Sequence, residues 1–376
     1  MNTSIYADNA ATTKLDKNAF EVMRPFLLEE YGNASQPYSF SRSARQALSE
    51  ARRTIAECIG ADESEIFFTS GGSESDNWAI NSALTSNCDH SRILVSEIEH
   101  HAVLNSAEAL KRFGISVDYL EVTNTGIVLP SVLEKHIDTD TKLISVMLAN
   151  NEIGTIEPIE ELASIAHKNG ILFHTDAVQA IGHINVNVQK LSVDMLSASA
   201  HKFNGPKGIG FLYVRNGVSL NPFIYGGSQE HGMRAGTENI PAIVGMAAAL
   251  KINVAELDSY KSKMTALETI LLTKLNESGL SFIHNGSDNH LPGNVSISFL
   301  KASGEKILHR MDLMNIHIST GSACDSKNTQ ISHVIKAIGV PKDYAEGTIR
   351  ISLGRDNTES DAINIANSLI KILKGA

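Results

Sequence analysis

Short apolar runs alternate with helical patterns between about residue 64 and residue 215 of the chain. Each run is β-rich and several are apolar throughout, which is typical of strands that are covered on both faces of a sheet. Alternation of such strands with helices is the pattern of crossover units, so an α/β fold with a mostly parallel sheet is predicted. The predicted strands are Glu65–Thr69, Arg92–Ser96, Val117–Val122, Lys142–Leu148, Ile171–His174, Met195–Ser197 and Gly210–Val214.

Helical spacing of apolar residues marks the segments on either side of this region. Ser43–Ile59 has an apolar stripe opposite its arginines, and the alanine-rich helix Pro241–Val254 is followed by a further helical pattern at Tyr260–Leu275. An α+β part follows, with two strands and a last helix near Asn294–Phe299, Thr348–Ser352 and Ser360–Leu373. At 376 residues the chain is too long for one hydrophobic core. We expect an N-terminal arm that packs on the small domain, a large domain and a small C-terminal domain, at 1–15, 16–255 and 256–376.

Polar residues cluster where the predicted strands end. In an open parallel sheet, ligands bind at the carboxyl ends of the strands, so these residues are the candidates for a site. The stretches concerned are Thr69–Glu74, Glu97–His101, Ala149–Glu152, His174–Gln179 and Ser199–Lys202. In the first, Gly71, Gly72 and Ser73 could turn amides and a hydroxyl toward a phosphate at the start of a helix. Taken alone, Ser73 is better explained as a simple helix N-cap.

A lysine and an aspartate lie at the ends of two neighbouring predicted strands. Lys202 comes 26 positions after Asp176. The pair predicts a lysine bound covalently to pyridoxal phosphate, with an aspartate that keeps the pyridine nitrogen of the cofactor protonated. An unpaired carboxylate at a strand end is costly, so Asp176 needs such a partner. Two ordinary roles stay open, namely Lys202 as a surface cation and Asp176 as the cap of the next helix.

Three further side chains suit chemistry on an amino acid. His100 follows a strand, where an imidazole could stack on a flat ring and carry protons, although a His-His pair at a helix start is often solvent-facing. Arg350 could bind a carboxylate, or could form a salt bridge between domains, as could Arg355. Cys324 lies among small polar residues, which favours a reactive thiol over a buried one.

Composition and charge narrow the class of protein. The net charge is −10 and no long basic run occurs, so direct binding of nucleic acid is not expected. The cysteines Cys58, Cys88 and Cys324 are far apart and have no metal-ligand spacing, which argues against disulfides and structural zinc. We expect Cys58 and Cys88 to be inert. No signal-peptide or membrane-spanning pattern is found, and a cytoplasmic enzyme without a metal is expected.

These residues resemble the cysteine desulfurase family, which is related to the class V aminotransferases. The shared motifs occur in the family's order along nearly the whole chain, at Tyr6–Thr13, Phe68–Gly71, Glu74–Asn77, Asn150–Gly154, His201–Lys202, Gly205–Gly208, Met233–Thr237 and Ile349–Arg355. The resemblance implies the pyridoxal-phosphate-dependent transferase fold of type I, with a large domain around a mostly parallel sheet and a smaller α+β domain. It also implies removal of sulfur from L-cysteine, which gives L-alanine and a persulfide on Cys324.

The resemblance further implies roles for single residues. The catalytic residues would be Lys202, His100 and Cys324. Lys202 would bind the cofactor covalently, Asp176 would contact its pyridine nitrogen, and the other cofactor contacts would come from Gln179, Asn151, the stacked ring of His100, and a phosphate site of Gly72, Ser73, Ser199 and His201. Thr237 would reach the phosphate of the neighbouring subunit in a homodimer. The substrate would be held by Asn33, Asn151 and Arg350, with Arg350 on its carboxylate.

The stretch Thr320–Cys324 resembles the branch of the family that has a long, mobile cysteine loop and passes its persulfide to acceptor proteins. The chain departs from the family pattern at 33–42, near the substrate, and at 325–330, where the frequent Leu-Glu-Pro is missing. Iron–sulfur cluster assembly, tRNA thiolation and DNA phosphorothioation are all possible destinations of the sulfur. The alternatives are a class V aminotransferase, a selenocysteine lyase and a degenerate scaffold protein. The presence of both Lys202 and Cys324 argues against the scaffold.

Overall fold

The structure, a computed structural model, describes residues 4–82, 91–320 and 331–375. Its strands are β1 (Ile5–Tyr6), β2 (Ile66–Thr69), β3 (Arg92–Ser96), β4 (Ser116–Leu120), β5 (Thr141–Ser145), β6 (Leu172–Asp176), β7 (Met195–Ser199), β8 (Gly210–Val214), β9 (Phe282–Asn285), β10 (Asn294–Phe299), β11 (Ile316–His317) and β12 (Thr348–Ser352). Its α-helices are α1 (Lys17–Leu28), α2 (Arg42–Ile59), α3 (Gly72–Asn81), α4 (His101–Leu110), α5 (Pro130–His136), α6 (Ile159–Lys168), α7 (Val188–Leu191), α8 (Ile240–Ala255), α9 (Leu257–Glu277), α10 (Gly304–Asp312), α11 (His333–Ala337), α12 (Lys342–Ala345) and α13 (Glu359–Lys374).

The central sheet has seven strands in the order β2-β8-β7-β6-β5-β3-β4. The five strands from β3 to β7 are parallel to one another, whereas β8 is antiparallel to both of its neighbours. Helices cover the sheet on both faces, as crossover connections between parallel strands require. The predicted α/β class and the mostly parallel sheet are confirmed.

Apolar side chains fill the space between the sheet and its helices on each face. Successive residues of β3 point in opposite directions, so Leu94 packs in the core with Ile55 of α2 and Met246 of α8. Ile93 packs on the other side with Trp78 of α3. Because both faces are buried, the inner strands need apolar residues at nearly every position, which is the pattern seen in the sequence.

α8 is apolar nearly all round because it packs against both α1 and α2. A Cβ atom at Gly245 would lie 2.5 Å from the sulfur of Met23, so glycine is what lets α1 approach this closely. α8 and α9 meet at an angle of 71°. Across the three described ranges, no individual helix has the length and apolarity to cross a bilayer, and the bent pair of α8 and α9 satisfies that test by length and composition only.

The C-terminal residues form an antiparallel sheet of three strands in the order β12-β10-β9. α9 and α13 pack on it, and Leu271, Ile297 and Leu369 are among the residues of its separate core. β1 pairs in parallel with β11, and Ile5 and Ala7 are buried in the same core. The first residues of the chain therefore contact its last third. The domain boundaries given above stay a prediction.

Most of the predicted elements are present, with shifts of a few residues at their ends. β3 and β8 have the predicted bounds. β5 ends at Ser145 instead of Leu148, although the amides of Val146 and Leu148 still donate to the carbonyls of His174 and Asp176. β1 and β9 are absent from the predicted set, and the two residues of β1 are too few for a periodic pattern, whereas β11 lies inside a segment, Ile316–Ser319, whose sequence is β-like.

Candidate active site

A cavity of about 560 Å³ opens where the parallel strands of the central sheet end. It brings together ten residues that the sequence predicts for the site, namely Gly72, Ser73, His100, Asn151, Asp176, Gln179, Ser199, His201, Lys202 and Arg350. Asn33 and Thr237 are not among the residues that line it. Cys324 lies outside the described residues.

Lys202 ends a short 3-10 turn that directly follows β7. Its amine donates hydrogen bonds to the carbonyl oxygens of Ala10 at 2.5 Å and Ala11 at 2.9 Å. The side chain is half-buried and lines the cavity, which argues against the alternative of a surface cation. The N-terminal arm thus supplies the groups that hold the amine of Lys202 in this structure.

Asp176 is the last residue of β6, and it is 4% exposed. Its Oδ1 accepts a hydrogen bond from the amide of Val178 at 2.8 Å, which closes a turn. The next helix begins only at Val188, so the alternative that Asp176 caps that helix is wrong. Burial raises the pKa of Asp176 to about 6, and the hydrogen bond from Val178 and the charge of Lys202 act in the opposite direction.

Two further carboxyl groups, those of Asp76 and Glu99, lie buried in the wall of the cavity. Oε1 of Glu99 accepts a hydrogen bond from the amide of Met147 at 2.5 Å. Oδ1 of Asp76 and Oε2 of Glu99 are buried without a hydrogen-bond partner in the described parts of the chain. Burial, and then repulsion by Asp176, raise the pKa of both groups well above their ordinary values. Burial therefore favours the protonated forms of Asp76 and Glu99, and Asp176 is the carboxyl group of the three that ionises most readily.

His174 lies on β6 beside these carboxyl groups and is fully buried. Its Nδ1 lies 2.8 Å from Oγ of Ser145, and its Nε2 lies 3.0 Å from Oγ of Ser197. Burial lowers the pKa of His174 to about 3, so the ring is neutral. We call the group formed by these four buried side chains the floor: Asp76, Glu99, His174 and Asp176.

His100 is the N-cap residue of α4, and its ring lines the cavity. Nδ1 accepts a hydrogen bond from the amide of Ala102 at 3.1 Å, so the proton of the neutral ring is on Nε2. Burial, and then the charge of Lys202, lower the pKa of His100 to about 4. His100 therefore offers an N–H group, and no charge, at neutral pH.

Small residues shape the start of α3. The helix begins at Gly72 with Gly71 as its cap residue, so the alternative that Ser73 is the N-cap is wrong. Gly71 has a φ of 149°, and a Cβ atom at Gly72 would lie 2.6 Å from Cγ2 of Val178. Glycine at both positions lets the amides at the positive end of α3 face the cavity beside Ser199.

Three partly buried ion pairs fasten segments in or next to the cavity: Glu74 and Arg350 line it, whereas Arg52 and Glu230 bond to the backbone of β2. Nη2 of Arg350 donates to Oδ1 of Asp8 at 2.7 Å, and its Nη1 donates to the carbonyl of Asn151 at 2.9 Å. The side chains of Arg234 and Glu74 form two hydrogen bonds with each other, as do those of Arg52 and Glu230. We call these three pairs the rim: Asp8–Arg350, Glu74–Arg234 and Arg52–Glu230.

Two carboxylates of the rim also bind backbone amides near the phosphate-binding candidates. Oε2 of Glu74 accepts from the amide of Ser70 at 2.9 Å, and Oε2 of Glu230 accepts from the amide of Phe68 at 2.9 Å. Glu230 has a φ of 46°, which is costly for a residue with a side chain. The charge-assisted bonds of Glu230 hold it in that conformation.

The remaining predicted residues have other surroundings. Nε2 of Gln179 donates to the carbonyl of Ala10 at 2.9 Å. Nδ1 of His201 lies 3.1 Å from Oγ1 of Thr12, and burial lowers the pKa of His201 to about 4. Oδ1 of Asn33 accepts from the amide of Ser35 at 2.9 Å, and Thr237 is exposed on the surface.

Cys58 is half-buried against the large core, and burial raises the pKa of its thiol to about 11. The thiol is therefore protonated and unreactive at neutral pH, as expected from its place beside the apolar stripe of α2. Cys88, like Cys324, lies outside the described residues.

Asp76 and Glu99 are the site residues that sequence reasoning missed. Glu99 occurs inside the stretch Glu97–His101 that follows a predicted strand, and Asp76 lies two residues after the stretch Thr69–Glu74. The available signal was the density of acidic residues at these strand ends, since two carboxylates beside a third must be neutralised in some way.

The donor groups of the cavity fit pyridoxal phosphate. The amine of Lys202 and the charged carboxylate of Asp176 both line the cavity, as a covalent attachment and a protonated ring nitrogen require. The start of α3 leaves room for a phosphate because a side chain at Gly72 would fill the space next to Val178.

Comparisons with known proteins agree with this geometry. The pattern of the family described as aminotransferase class-V matches residues 5–364. A relative named cysteine desulfurase IscS, from Dictyoglomus turgidum, is 47% identical over 378 positions, which cover 100% of this chain and 95% of the relative. A solved structure named NifS-like protein matches with a TM-score of 0.93 and 38% identity over 100% of both chains. Another, described as SspA in complex with cysteine, matches with a TM-score of 0.83 and 37% identity over 93% of this chain and 99% of that one.

Proposed function

We propose that this chain, which belongs to the cysteine desulfurases of the class-V aminotransferase family, uses Lys202, Asp176 and Cys324 to convert L-cysteine into L-alanine and a persulfide on Cys324. Its activity depends on pyridoxal phosphate, as the family implies. The observation that carries the assignment of residues is the amine of Lys202, which lines the cavity together with the charged Asp176.

The cofactor, when bound, supplies an electron sink for the charge that develops at the α carbon of the substrate. Lys202 would hold it covalently, and Asp176 would pair with its ring nitrogen. Its ring and phenolic oxygen would contact His100, Asn151 and Gln179, and its phosphate would lie among Gly72, Ser73, Ser199 and His201. The raised pKa values of Asp76 and Glu99 support this arrangement, because Asp176 is then the carboxyl group that ionises most readily beside the ring nitrogen.

Arg350 is the group that binds the carboxylate of the substrate. Its Nε is buried and has no partner among the described residues, while its two other nitrogens are held by Asp8 and Asn151. A carboxylate beside Nε would complete the hydrogen bonding of the guanidinium. Asn151 would contribute a second contact. The role of Asn33 rests on the family resemblance alone.

Lys202 and His100 move the protons. The free amine of Lys202 takes the α proton of the substrate and later returns it. Because the ring of His100 is neutral, it acts first as a base: it takes up a proton and then, as the imidazolium, donates a proton to the substrate. The low pKa of His100 keeps this ring in the neutral form across the physiological range.

Cys324 accepts the sulfur. Its thiolate attacks the sulfur atom of L-cysteine, so an S–S bond forms while the C–S bond of the substrate breaks and leaves its electron pair on the β carbon. His100 takes the proton of the Cys324 thiol as the thiolate forms, and the resulting imidazolium donates a proton to the β carbon. The products are L-alanine and a persulfide on Cys324, and no external oxidant or reductant is consumed.

We further propose a cytoplasmic homodimer that passes its persulfide to an acceptor protein. Large side chains are strongly exposed at Tyr31, Tyr38, Phe40 and Tyr225, with values from 50% to 81%, as expected for a surface that a second subunit covers. Thr237 is exposed as well, which suits contact with the phosphate in the neighbouring subunit. Iron–sulfur cluster assembly, tRNA thiolation and DNA phosphorothioation remain the candidate destinations of the sulfur.

The test compares two variants with ³⁵S-labelled L-cysteine. Cys324→Ser should keep the visible absorbance of the cofactor, yet form no labelled persulfide and release little alanine. Lys202→Ala should form neither product, because it lacks both the attachment and the base. Cys88→Ser serves as the matched control and should behave like the unmodified enzyme.

Two outcomes would overturn the proposal. Full alanine release by Cys324→Ser would refute the nucleophile. Formation of a keto acid that depends on an added amino acceptor would indicate an aminotransferase instead. The acceptor itself is identified by recovering the protein that takes labelled sulfur from Cys324 in a cell extract.

A further inference from the structure

A second group of side chains suited to chemistry lies in the C-terminal region, away from the cavity. Glu268 of α9, His284 of β9 and His290 of the following loop each offer one ligand atom, and these atoms lie within 4.8 Å of one another. None of the three lines the active-site cavity. We propose that this cluster, although the cysteine spacing of the sequence argues against zinc, binds a divalent transition metal ion of the zinc type.

Hydrogen bonds around Glu268 and His290 turn the ligand atoms of these two residues toward each other. Nδ1 of His290 lies 2.9 Å from the carbonyl of Ser287, and because a carbonyl only accepts, Nδ1 carries a hydrogen. The other nitrogen, Nε2, is directed at Oε1 of Glu268 at 2.7 Å. The second oxygen of Glu268 accepts from the amide of Gly293 at 3.0 Å. Metal-binding histidines and carboxylates in proteins are oriented by outer hydrogen bonds of this kind.

The distances suit a tetrahedral ion. Zinc bonds of about 2.0–2.2 Å place neighbouring ligand atoms roughly 3.3 Å apart. Nε2 of His290 lies 2.7 Å from Oε1 of Glu268, and no two of the three ligand atoms are more than 4.8 Å apart, so the observed range includes this value. His284 is exposed, so rotation of its side chain can close the remaining gap. Two imidazoles and one carboxylate form a donor set that zinc favours, with water as the fourth ligand.

Binding exchanges a proton for the metal. Without the ion, Nε2 of His290 donates to the carboxylate of Glu268. The ion would take the place of the Nε2 proton of His290, which is released to solvent.

The metal would stiffen a connection that leads to the active site. The loop of His290 bonds to the segment after Asn151, since the amide of Ser287 donates to Oγ1 of Thr155 and the amide of Ile156 donates to the carbonyl of Asn289. The carbonyl of Asn151 in turn accepts from Arg350. An ion at the cluster would therefore fix α9, β9 and this loop against the segment that forms one wall of the cavity.

Calorimetric titration of Zn²⁺ into the cofactor-loaded enzyme tests the proposal. Cys324→Ser is used as the parent, so that its thiol does not compete for zinc. One equivalent should bind with a micromolar or lower Kd, and His284→Ala should weaken that binding at least about tenfold. His309→Ala is the matched control, because His309 lies 3.8 Å from Glu305 on the exposed face of α10, in an acid–imidazole pair without a third ligand. It should bind zinc like the parent.

A structural readout accompanies the titration. Co²⁺ in place of zinc should give the visible absorption of a four-coordinate ion with nitrogen and oxygen ligands, and His284→Ala should lose it. Zinc should also raise the Tm of the parent and of His309→Ala, but not that of His284→Ala. Equal zinc affinity of His284→Ala and the parent, or no stoichiometric binding by the parent, would overturn the proposal and leave only an ion pair between Glu268 and His290.

Discussion

The floor and the rim of the cavity accommodate buried polar groups in opposite ways. Both bury polar groups that water would otherwise solvate. In the rim each charge has an opposite charge within hydrogen-bonding distance, as for Arg52 and Glu230 at 2.6 Å. In the floor the carboxyl groups of Asp76 and Glu99 lie beside the like charge of Asp176, and they take up protons instead.

The difference follows from what each region does. An ion pair holds its two segments in place, because breaking it leaves a buried charge without a partner. The ion pairs of the rim therefore hold the segments that shape the cavity. Because the neighbouring groups of the floor favour their neutral forms, Asp176 carries the main charge in this part of the cavity. The comparison predicts that replacing a charged side chain of the rim lowers stability strongly. Replacing Asp76 or Glu99 of the floor by its amide should have little effect on activity.

The largest effect is expected in the rim. Arg52→Met should lower the free energy of unfolding by about 3–5 kcal/mol, because it leaves the buried carboxylate of Glu230 without its partner. Denaturant unfolding measures this loss. Adding Glu230→Gln to Arg52→Met removes the stranded charge and should recover part of the stability. If the single variant is as stable as the parent, the rim does not stabilise the fold.

The charged member of the floor comes second. Asp176→Asn should reduce kcat/KM about 100-fold or more, roughly 2.7 kcal/mol, since a neutral amide cannot pair with a protonated ring nitrogen. Asp76→Asn is the matched control, and it should lose less than about tenfold because Asp76 is already uncharged. Equal losses in the two variants would show that the charge is shared between them.

A buried carboxyl group that keeps its proton in the folded protein makes the free energy of unfolding depend on pH. Burial raises the pKa of Glu157 to about 8, so between its ordinary pKa and pH 8 the folded protein holds a proton that the unfolded chain lacks. Stability from this group is present at low pH and is lost as the pH rises through 8. Glu157→Gln should flatten the fall in unfolding free energy between about pH 7 and 8 by up to about 1.4 kcal/mol per pH unit.

Histidines with lowered pKa values do not affect this comparison, because the parent and Glu157→Gln contain the same histidines. The pKa values of His100, His174, His183 and His201 are lowered to between about 3 and 4. Their contribution to stability is lost as the pH falls below about 6.5, and it is constant at higher pH. Parallel curves for the parent and Glu157→Gln between pH 7 and 8 would mean that Glu157 is ionised in the folded protein.

The smallest effect is expected at Glu99. Glu99→Gln replaces a protonated acid by an amide of the same shape, so kcat/KM should change by less than about threefold, under 1 kcal/mol. Infrared spectroscopy should show that the carbonyl band of one protonated carboxyl group is missing from the variant. A large loss of activity together with an unchanged infrared spectrum would contradict a neutral Glu99.

The sequence predicts the central sheet well because its strands are buried on both faces. An apolar run such as Gly210–Val214 leaves little choice of conformation, and the observed β8 has the same bounds. β1 is not predicted because it has two residues and depends on β11 for its hydrogen bonds. That β8 runs antiparallel to its neighbours is set by tertiary packing, which no local pattern reports.

Some residues of the candidate site can likewise be predicted from the sequence and others cannot. Lys202 and Asp176 are found from the sequence because charged residues at strand ends are unusual and their spacing fits one crossover. Asp76 is not, since an aspartate within Ser73–Asn77 resembles an exposed helix position until the packing of α3 on the sheet is known. Its neutral state depends on burial and on the distance to Asp176, and both are properties of the folded chain.

The pairing of β1 with β11 has a consequence for synthesis on the ribosome. Ile5 can take its place beside Ile316 only after about 310 further residues have been translated, which at roughly 5–20 residues per second takes about 15–60 s. Until then β1 has no partner strand, and Arg350, which lines the cavity, is translated later still. The nascent polypeptide therefore completes its reactive lysine pocket only near the end of its own translation.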